Sequence, residues 1–219
     1  MKYTVIIPAA GSSSRFQKDK LLIKLNNELL IKHTIYNFQY DKDCEKIILV
    51  VQSNKFNFYK SMFRLINKLL VVEGDSSRSE SVYKGLQYAL KQENVLIHDA
   101  DRPFVSLDLI TDVKNALENH NLVTSYIPVY DSLVKTDANG VTYVDRQEYK
   151  LIQTPQGAKV DMLIKAYDAN KTNTIPFNDE ISLILNHFPE EPVEFVLGSS
   201  QNKKITTPDD VSQIEYDSL

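Results

Sequence analysis

Strand-length apolar runs alternate with amphipathic stretches of helical period along almost the whole chain, and this order restricts the fold more than any other feature. The apolar runs are Tyr3–Pro8, Lys46–Gln52, Leu69–Val72, Val95–His98, Leu122–Val129 and Val193–Leu197. Between them lie the helical patterns Leu29–Tyr40, Phe56–Asn67, Ser81–Lys91, Leu107–Asn119 and Lys159–Asn170. Runs that stay apolar on consecutive residues belong to strands covered on both faces. The order therefore predicts an α/β fold with a doubly wound, mainly parallel sheet. In such sheets ligands bind beyond the carboxyl ends of the strands. The loops expected there are Ala9–Arg15, Glu73–Arg78 and Asp99–Pro103, all carrying small or charged residues.

The alternation breaks between about residues 131 and 156. Two short β-like pieces, Ser132–Thr136 and Val141–Val144, flank Asp137-Ala138-Asn139-Gly140. Asn-Gly between such pieces signals a hairpin, and a hairpin has no place in a doubly wound sheet, so it is expected to project. The chain closes on Thr207-Pro208-Asp209-Asp210, with Thr207 as N-cap and Pro208 at the first helical position. The reading is one domain over residues 1–219 with an arm at about 131–156.

The net charge of −4 argues against nucleic-acid or anionic-membrane partners, which need a basic surface. No apolar stretch reaches the roughly 20 residues of a membrane span, and a signal-peptide pattern is lacking, so a cytoplasmic location is expected. The single Cys44 suits a reducing compartment and reads as a packing or surface residue. His33, His98, His120 and His187 show no metal-ligand spacing. The phosphate-loop, dinucleotide-binding and nucleophile-elbow motifs are all missing.

The first loop, Ala9-Ala10-Gly11-Ser12-Ser13-Ser14-Arg15, is followed by Lys20. Small side chains let backbone N–H groups converge on phosphate oxygens, and the two cations add full charge. The bland alternative is a plain turn. His98-Asp99-Ala100-Asp101-Arg102-Pro103 follows the fourth run; its carboxylates and arginine suit a metal, a hydroxyl and a phosphate, or else form a capped turn with Asp99 and Arg102 paired. His98 itself reads as a buried hydrogen-bonding residue. In Glu73–Val82, Gly74 permits close backbone approach, while Arg78 and Ser81 stand three apart and can share a helical face; the alternative is a polar loop with a cap. Asp145-Arg146, Thr154-Pro155-Gln156, Asn178-Asp179-Glu180 and Lys203-Lys204 read as solvated surface by default.

Taken together, these motifs resemble the 2-C-methyl-D-erythritol 4-phosphate cytidylyltransferases. The residues that carry the resemblance are Pro8-Ala9-Ala10-Gly11 with Arg15, Lys20-Leu21 with His33-Thr34, and Gly74 with Arg78, Ser81-Val82 and Gly85-Leu86. They continue with His98-Asp99-Ala100, Arg102-Pro103, Pro128-Val129, Asp131-Ser132, Thr154-Pro155-Gln156 and Thr207-Pro208-Asp209-Asp210. The resemblance implies a Rossmann-like nucleotidyltransferase fold that moves CMP from CTP to a polyol phosphate with Mg²⁺ or another divalent cation. It implies CTP contacts from Ala9, Ala10, Gly11, Arg15, Lys20, Gly74, Asp75, Arg78, Ser81, Asp99 and Ala100. Arg15, Lys20 and Lys204 would be catalytic, and Asp99 would hold the metal. Asp99, Arg102, Ser132, Arg146, Asn178 and Lys204 would hold the acceptor, within a homodimer joined through the arm. The chain departs from the pattern at Ser13 and Asp75, where glycines are common, at Asp101, where a small residue is usual, and at Ser132 and Asn178, where threonine is usual.

A phosphate monoester is mostly dianionic at neutral pH, so the acceptor needs no general base, only charge neutralisation and in-line alignment. Ribitol 5-phosphate cytidylyltransferases share almost every motif; Ala9-Ala10-Gly11, instead of Ala-Gly-Gly, favours methylerythritol phosphate. A non-catalytic nucleotide-binding relative is the rival from another class, and retention of Arg15, Lys20 and Asp99 argues against it.

Overall fold

The first strand, β1 (Tyr3–Ala9), is six-sevenths buried, which only a position inside a covered sheet allows. The structure, a computed structural model, describes residues 1–11, 19–75, 77–138 and 140–211. In it β1 is followed by a short hairpin, β2 (Lys24–Leu25) and β3 (Glu28–Leu29), then α1 (Leu30–Tyr40), β4 (Cys44–Val51), α2 (Phe56–Met62) and β5 (Leu69–Glu73). Next come α3 (Arg78–Leu86), β6 (Asn94–Ile97), α4 (Leu107–Ala116), β7 (Leu122–Pro128) and the hairpin β8 (Val134–Asp137) and β9 (Gly140–Tyr143). The chain continues through β10 (Lys150–Lys159), α5 (Val160–Thr172), α6 (Glu180–His187) and β11 (Glu194–Leu197).

Seven strands form the main sheet in the order β11-β7-β10-β6-β1-β4-β5. All neighbouring pairs are parallel except those of β10, which runs antiparallel to both β6 and β7. Two apolar clusters cover the faces: Val5, Ile7, Leu49 and Phe38 pack on one side, and Ile6, Ile48, Val50 and Val82 on the other. Each such side chain, fully withdrawn from water, contributes about 1.5–3 kcal/mol.

All six expected strands are present, and the five expected helices appear with shifted ends. Helix α3 starts at Arg78, three residues earlier than expected, because Ser77 and Glu80 form a reciprocal capping box. Two elements escape the periodicity. The segment that begins at Lys150 lies inside the stretch expected to be arm, yet it is β10 of the main sheet. Helix α6 starts on a second capping box, Asp179 with Ser182. The hairpin β8–β9 forms a separate two-stranded sheet, and every one of its strand residues is exposed. Gly140 has φ 115°, the left-handed backbone its turn requires, while Asn139 lies outside the described residues. Near the C-terminus, Asp210 accepts from the Thr206 and Thr207 backbone N–H groups at 2.8 Å, closing the helix start expected at Thr207-Pro208.

Gly85 marks where α3 presses on the sheet. A Cβ there would sit 2.9 Å from both Ile6 Cγ2 and Val50 Cγ2, rigid methyls of buried β-branched residues. Overpacking costs about 1–3 kcal/mol, against a helix-propensity gain of up to about 1 kcal/mol. Gly85→Ala is expected to lose stability on the order of 1 kcal/mol in urea unfolding; an equal or greater stability would show that the helix and sheet separate freely there.

Candidate active site

Strands β1 and β6 lie side by side at the point where the strand order reverses, so the loops that leave their carboxyl ends flank a crevice. On the β1 side, Ala10 and Gly11 are held by Gln52, whose Nε2 donates to the Ala10 carbonyl at 3.1 Å and the Gly11 carbonyl at 3.4 Å. Gly74 closes the wall of a cleft of about 470 Å³ lined by Ala10, Gly11, Gln52, Gly74, Asp75 and Arg78 among others. A Cβ on Gly74 would come within 2.8 Å of Ala10 Cβ and Ser81 Oγ, so this close approach is open only to glycine. Buried Ser81 uses its Oγ to accept the Asp75 backbone N–H at 3.1 Å. Ala9 sits buried behind the loop. Lys84 reaches Asp75 at 2.8 Å.

On the β6 side, Asp99 is the hub. Its Oδ1 accepts Arg78 Nε at 3.3 Å, and its Oδ2 accepts Lys204 Nζ at 3.0 Å and Arg102 Nε at 3.4 Å. Burial pushes the Asp99 carboxyl up, but Arg78, Lys204 and Arg102 outweigh it and hold the group well below the usual carboxylate range. Arg78 in turn donates through one terminal nitrogen to both oxygens of buried Glu180 at 2.9 Å, and Tyr167 Oη donates to Glu180 at 3.2 Å. Burial opposes the Arg78 charge, yet Glu180 and Asp99 outweigh that cost and raise its pKa. Lys20 pairs with Asp101 and donates to the Ile205 carbonyl at 3.1 Å. Ala100 is buried, its carbonyl accepting the Thr34 hydroxyl at 2.9 Å, which ties the loop to α1.

Thr154, on β10, fixes the Asp99 backbone. The Asp99 N–H donates to Thr154 Oγ1 at 3.0 Å, and the Thr154 hydroxyl faces His98 Nδ1 at 3.1 Å. His98 Nε2 lies 3.0 Å from the Arg102 carbonyl, which can only accept, so Nε2 carries the proton and Nδ1 accepts from Thr154. Burial lowers the His98 pKa to about 4, so the ring is neutral and structural, as the sequence suggests.

The sequence candidates thus fall into four groups. Ala9, Ala10, Gly11, Gly74, Asp75, Arg78 and Ser81 form or support the cleft, and Lys20, Asp99, Ala100, Arg102 and Lys204 gather at the neighbouring cluster. Ser132 and Arg146 stand exposed at the base of the arm, with Arg146 donating to the Tyr130 carbonyl and no described contact to the Asp99 cluster. Exposed Asn178 donates only its backbone N–H, to Ser182 Oγ at 3.0 Å. Arg15, with Ser13, lies outside the described residues. The reading of Asn178-Asp179-Glu180 as solvated surface is corrected at Glu180, which is 1% exposed and anchors Arg78. The spacing of Asp179 and Ser182 signals the helix start, but the burial of Glu180 follows from its partner Arg78, 102 positions away.

The family model for 2-C-methyl-D-erythritol 4-phosphate cytidylyltransferase matches residues 3–216. The chain belongs to this family. Curated family members from Bacillus mycoides and Geobacillus kaustophilus are 34% and 32% identical, covering 95% and 96% of this chain and 94% of each relative. Among solved structures, the 4-diphosphocytidyl-2C-methyl-D-erythritol synthase of Anaerococcus prevotii has a TM-score of 0.90 at 26% identity, covering 100% of this chain and 96% of that one. The Francisella tularensis family enzyme has a TM-score of 0.82 at 29% identity, covering 99% of each chain. The family fold is therefore shared over nearly the full length.

His98 gives a pH signature. Its native pKa of about 4 lies below the ordinary value of 6.5, so the unfolded chain takes the proton first. Stability from this group is full above about pH 6.5 and is lost as pH falls towards 4, by on the order of 3 kcal/mol. Urea unfolding between pH 7.5 and 5 should show this slope, and His98→Gln should flatten it. Equal slopes in the two proteins would place the linkage elsewhere.

Proposed function

We propose that this chain transfers CMP from CTP to 2-C-methyl-D-erythritol 4-phosphate, releasing pyrophosphate and 4-diphosphocytidyl-2-C-methyl-D-erythritol. The observation that carries the reading is the gathering of Lys20, Arg78, Arg102 and Lys204 beside a glycine-walled cleft in a member of this family. In this reading the cleft takes the nucleotide: Gly74 and Asp75 border the base, and Ala10 and Gly11 offer backbone N–H groups to the triphosphate. Arg15 and Lys20 draw charge from the α-phosphate as the acceptor oxygen attacks and pyrophosphate departs. Arg102 and Lys204 orient the acceptor phosphate, with Arg102 held by the Asn202 carbonyl at 2.8 Å and by Asp99. Ser132, Arg146 and Asn178 complete the acceptor pocket.

Magnesium fits the donor set. Among the described residues no three His, Cys, Asp or Glu side chains gather as a protein cage. The crevice instead offers Asp99, held ionised, and Mg²⁺ is ordinarily bound by one or two carboxylates with substrate phosphates and water completing the shell. Asp99 would hold it, and when bound it supplies further charge withdrawal from the phosphates.

The active form in this reading is a two-fold dimer in which each arm serves the partner. An isolated hairpin is marginal in water, and this one exposes Tyr143 (78%) and Val141 (66%). Tyr130, at the arm's base, is 76% exposed. A cytoplasmic location completes the proposal; among the described residues no helix is long and apolar enough to cross a membrane.

Purified protein with CTP and Mg²⁺ is expected to release pyrophosphate with 2-C-methyl-D-erythritol 4-phosphate. Turnover with ribitol 5-phosphate in its place would transfer the assignment to that acceptor, and CTP binding without turnover on either would favour the non-catalytic alternative. Lys20→Ala should lower kcat about a hundredfold or more while changing CTP affinity far less. Equal losses in both would make Lys20 a binding group only.

The shared site is open to a mixing experiment. Lys20→Ala and Arg146→Ala chains, each inactive alone, should regain roughly a quarter of wild-type activity when refolded together, since half the dimers are mixed and each has one intact site. No recovery, with mixed dimers shown to form, would place Arg146 in the site of its own chain.

A further inference from the structure

Asp101, on the loop after β6, ties three segments of the crevice together. It is 7% exposed, and its carboxylate pairs with Lys20. Its backbone carbonyl accepts the Ile205 N–H at 2.8 Å, and the Ile205 carbonyl accepts a second Lys20 N–H at 3.1 Å. Lys20, Asp101 and Ile205 thus close a ring of three contacts that joins the loop after β1, the loop after β6 and the segment after β11. The other carboxylate oxygen, Oδ1, is buried without a hydrogen-bond partner and lies 3.9 Å from Lys204 Nζ.

We infer, on the reading of the chain as a cytidylyltransferase, that Asp101 is a positioning residue that aims Lys20 and steadies Lys204. An ammonium has three N–H donors. With one on Asp101 and one on the Ile205 carbonyl, the direction of the third is fixed, and among the described residues it has no acceptor. A lysine on a free four-carbon stem samples many directions, whereas this one has a single donor left to offer. On the other side, Lys204 rests on Asp99 at 3.0 Å with Asp101 as a second counter-charge. A shift of less than one hydrogen-bond length would move Lys204 onto the orphan Oδ1 and leave Asp99 Oδ2 to Arg102 alone. The negative charge that Asp101 brings beside the phosphates is the cost of this arrangement, and it sets the expected signature: weaker ground-state attraction for nucleotide, better alignment at the reacting phosphorus.

The test is a split between kcat and nucleotide binding in Asp101→Ala, with Asp101→Asn as the conservative variant. Loss of alignment at this distance costs about tenfold to a hundredfold in rate. Asp101→Ala should lose that much kcat while its Kd for CTP stays equal or tightens, and Asp101→Asn, which still accepts from Lys20, should recover most of the rate. A merely structural role would weaken both parameters together and lower unfolding stability in proportion. Unchanged or higher kcat in Asp101→Ala would overturn the inference and leave Asp101 a plain repulsive charge. An activity-free readout runs in parallel: acylation of individual lysines followed by peptide mass spectrometry. Lys20 should react several-fold faster in Asp101→Ala than in wild type, with Lys84 unchanged as the control. Equal Lys20 labelling would refute the clamp even in an active enzyme, whereas a labelling change in a protein inactive on every acceptor would refute the activity and keep the clamp.

Discussion

Asp99 is the counter-ion on which the whole crevice depends. Arg78, Arg102 and Lys204 come from a helix, a loop and a segment near the C-terminus, and they would repel one another if brought together without it. Charges taken out of water are costly unless they are paired and hydrogen-bonded. Glu180 and Asp101 extend the same solution outward, so that three carboxylates hold the four cations Lys20, Arg78, Arg102 and Lys204. The remaining positive charge is the asymmetry a polyanionic ligand would use. The backbone of Asp99 is pinned separately, through Thr154 and a His98 kept neutral by burial, so the carboxylate is aimed before any ligand arrives.

The placement of these groups follows from the sheet. A parallel strand delivers its loop to the same edge as its neighbours, and β1, β4, β5, β6 and β7 all do so. β10 arrives from the opposite direction, and that reversal brings Thr154 to the carboxyl end of β6 instead of its start. A seventh parallel strand in that place would have presented its far end to Asp99. The reversal also makes the arm leave and return at the crevice edge, between the end of β7 and the start of β10.

Much of this was legible in the residues. Apolar runs at Tyr3–Pro8 and Lys46–Gln52 carry no alternation, and that is what a strand covered on both faces requires. Small residues and cations after β1, β5 and β6 marked the right edge. Two things were not legible. β10 begins with Lys150, Leu151 and Ile152, exposed where the strand runs beyond β6, and its buried part holds Gln153, Thr154, Pro155 and Gln156, so no apolar run announces it. Glu180 reads as polar surface because single-residue polarity says nothing about a partner 102 positions away; only the fold brings Arg78 to it. The general reason is the same in both cases. Pattern reports what a segment prefers alone, while pairing between distant polar groups is decided by topology.

The insertion of β10 between β6 and β7 also dictates when this protein can become whole. During synthesis, β5, β4, β1 and β6 emerge first and can pair into a four-stranded half-sheet, since their partners all lie within residues 3–97. β7 follows but has no strand of that half to pair with, and the gap stays open until residues 150–159 have left the ribosome. Through that interval the inner edge of β6 and both edges of β7 are bare, which is the condition under which chains associate wrongly. The late strand brings Gln153, Thr154 and Gln156 into the centre of the sheet, so the same residues that complete the crevice also close the fold.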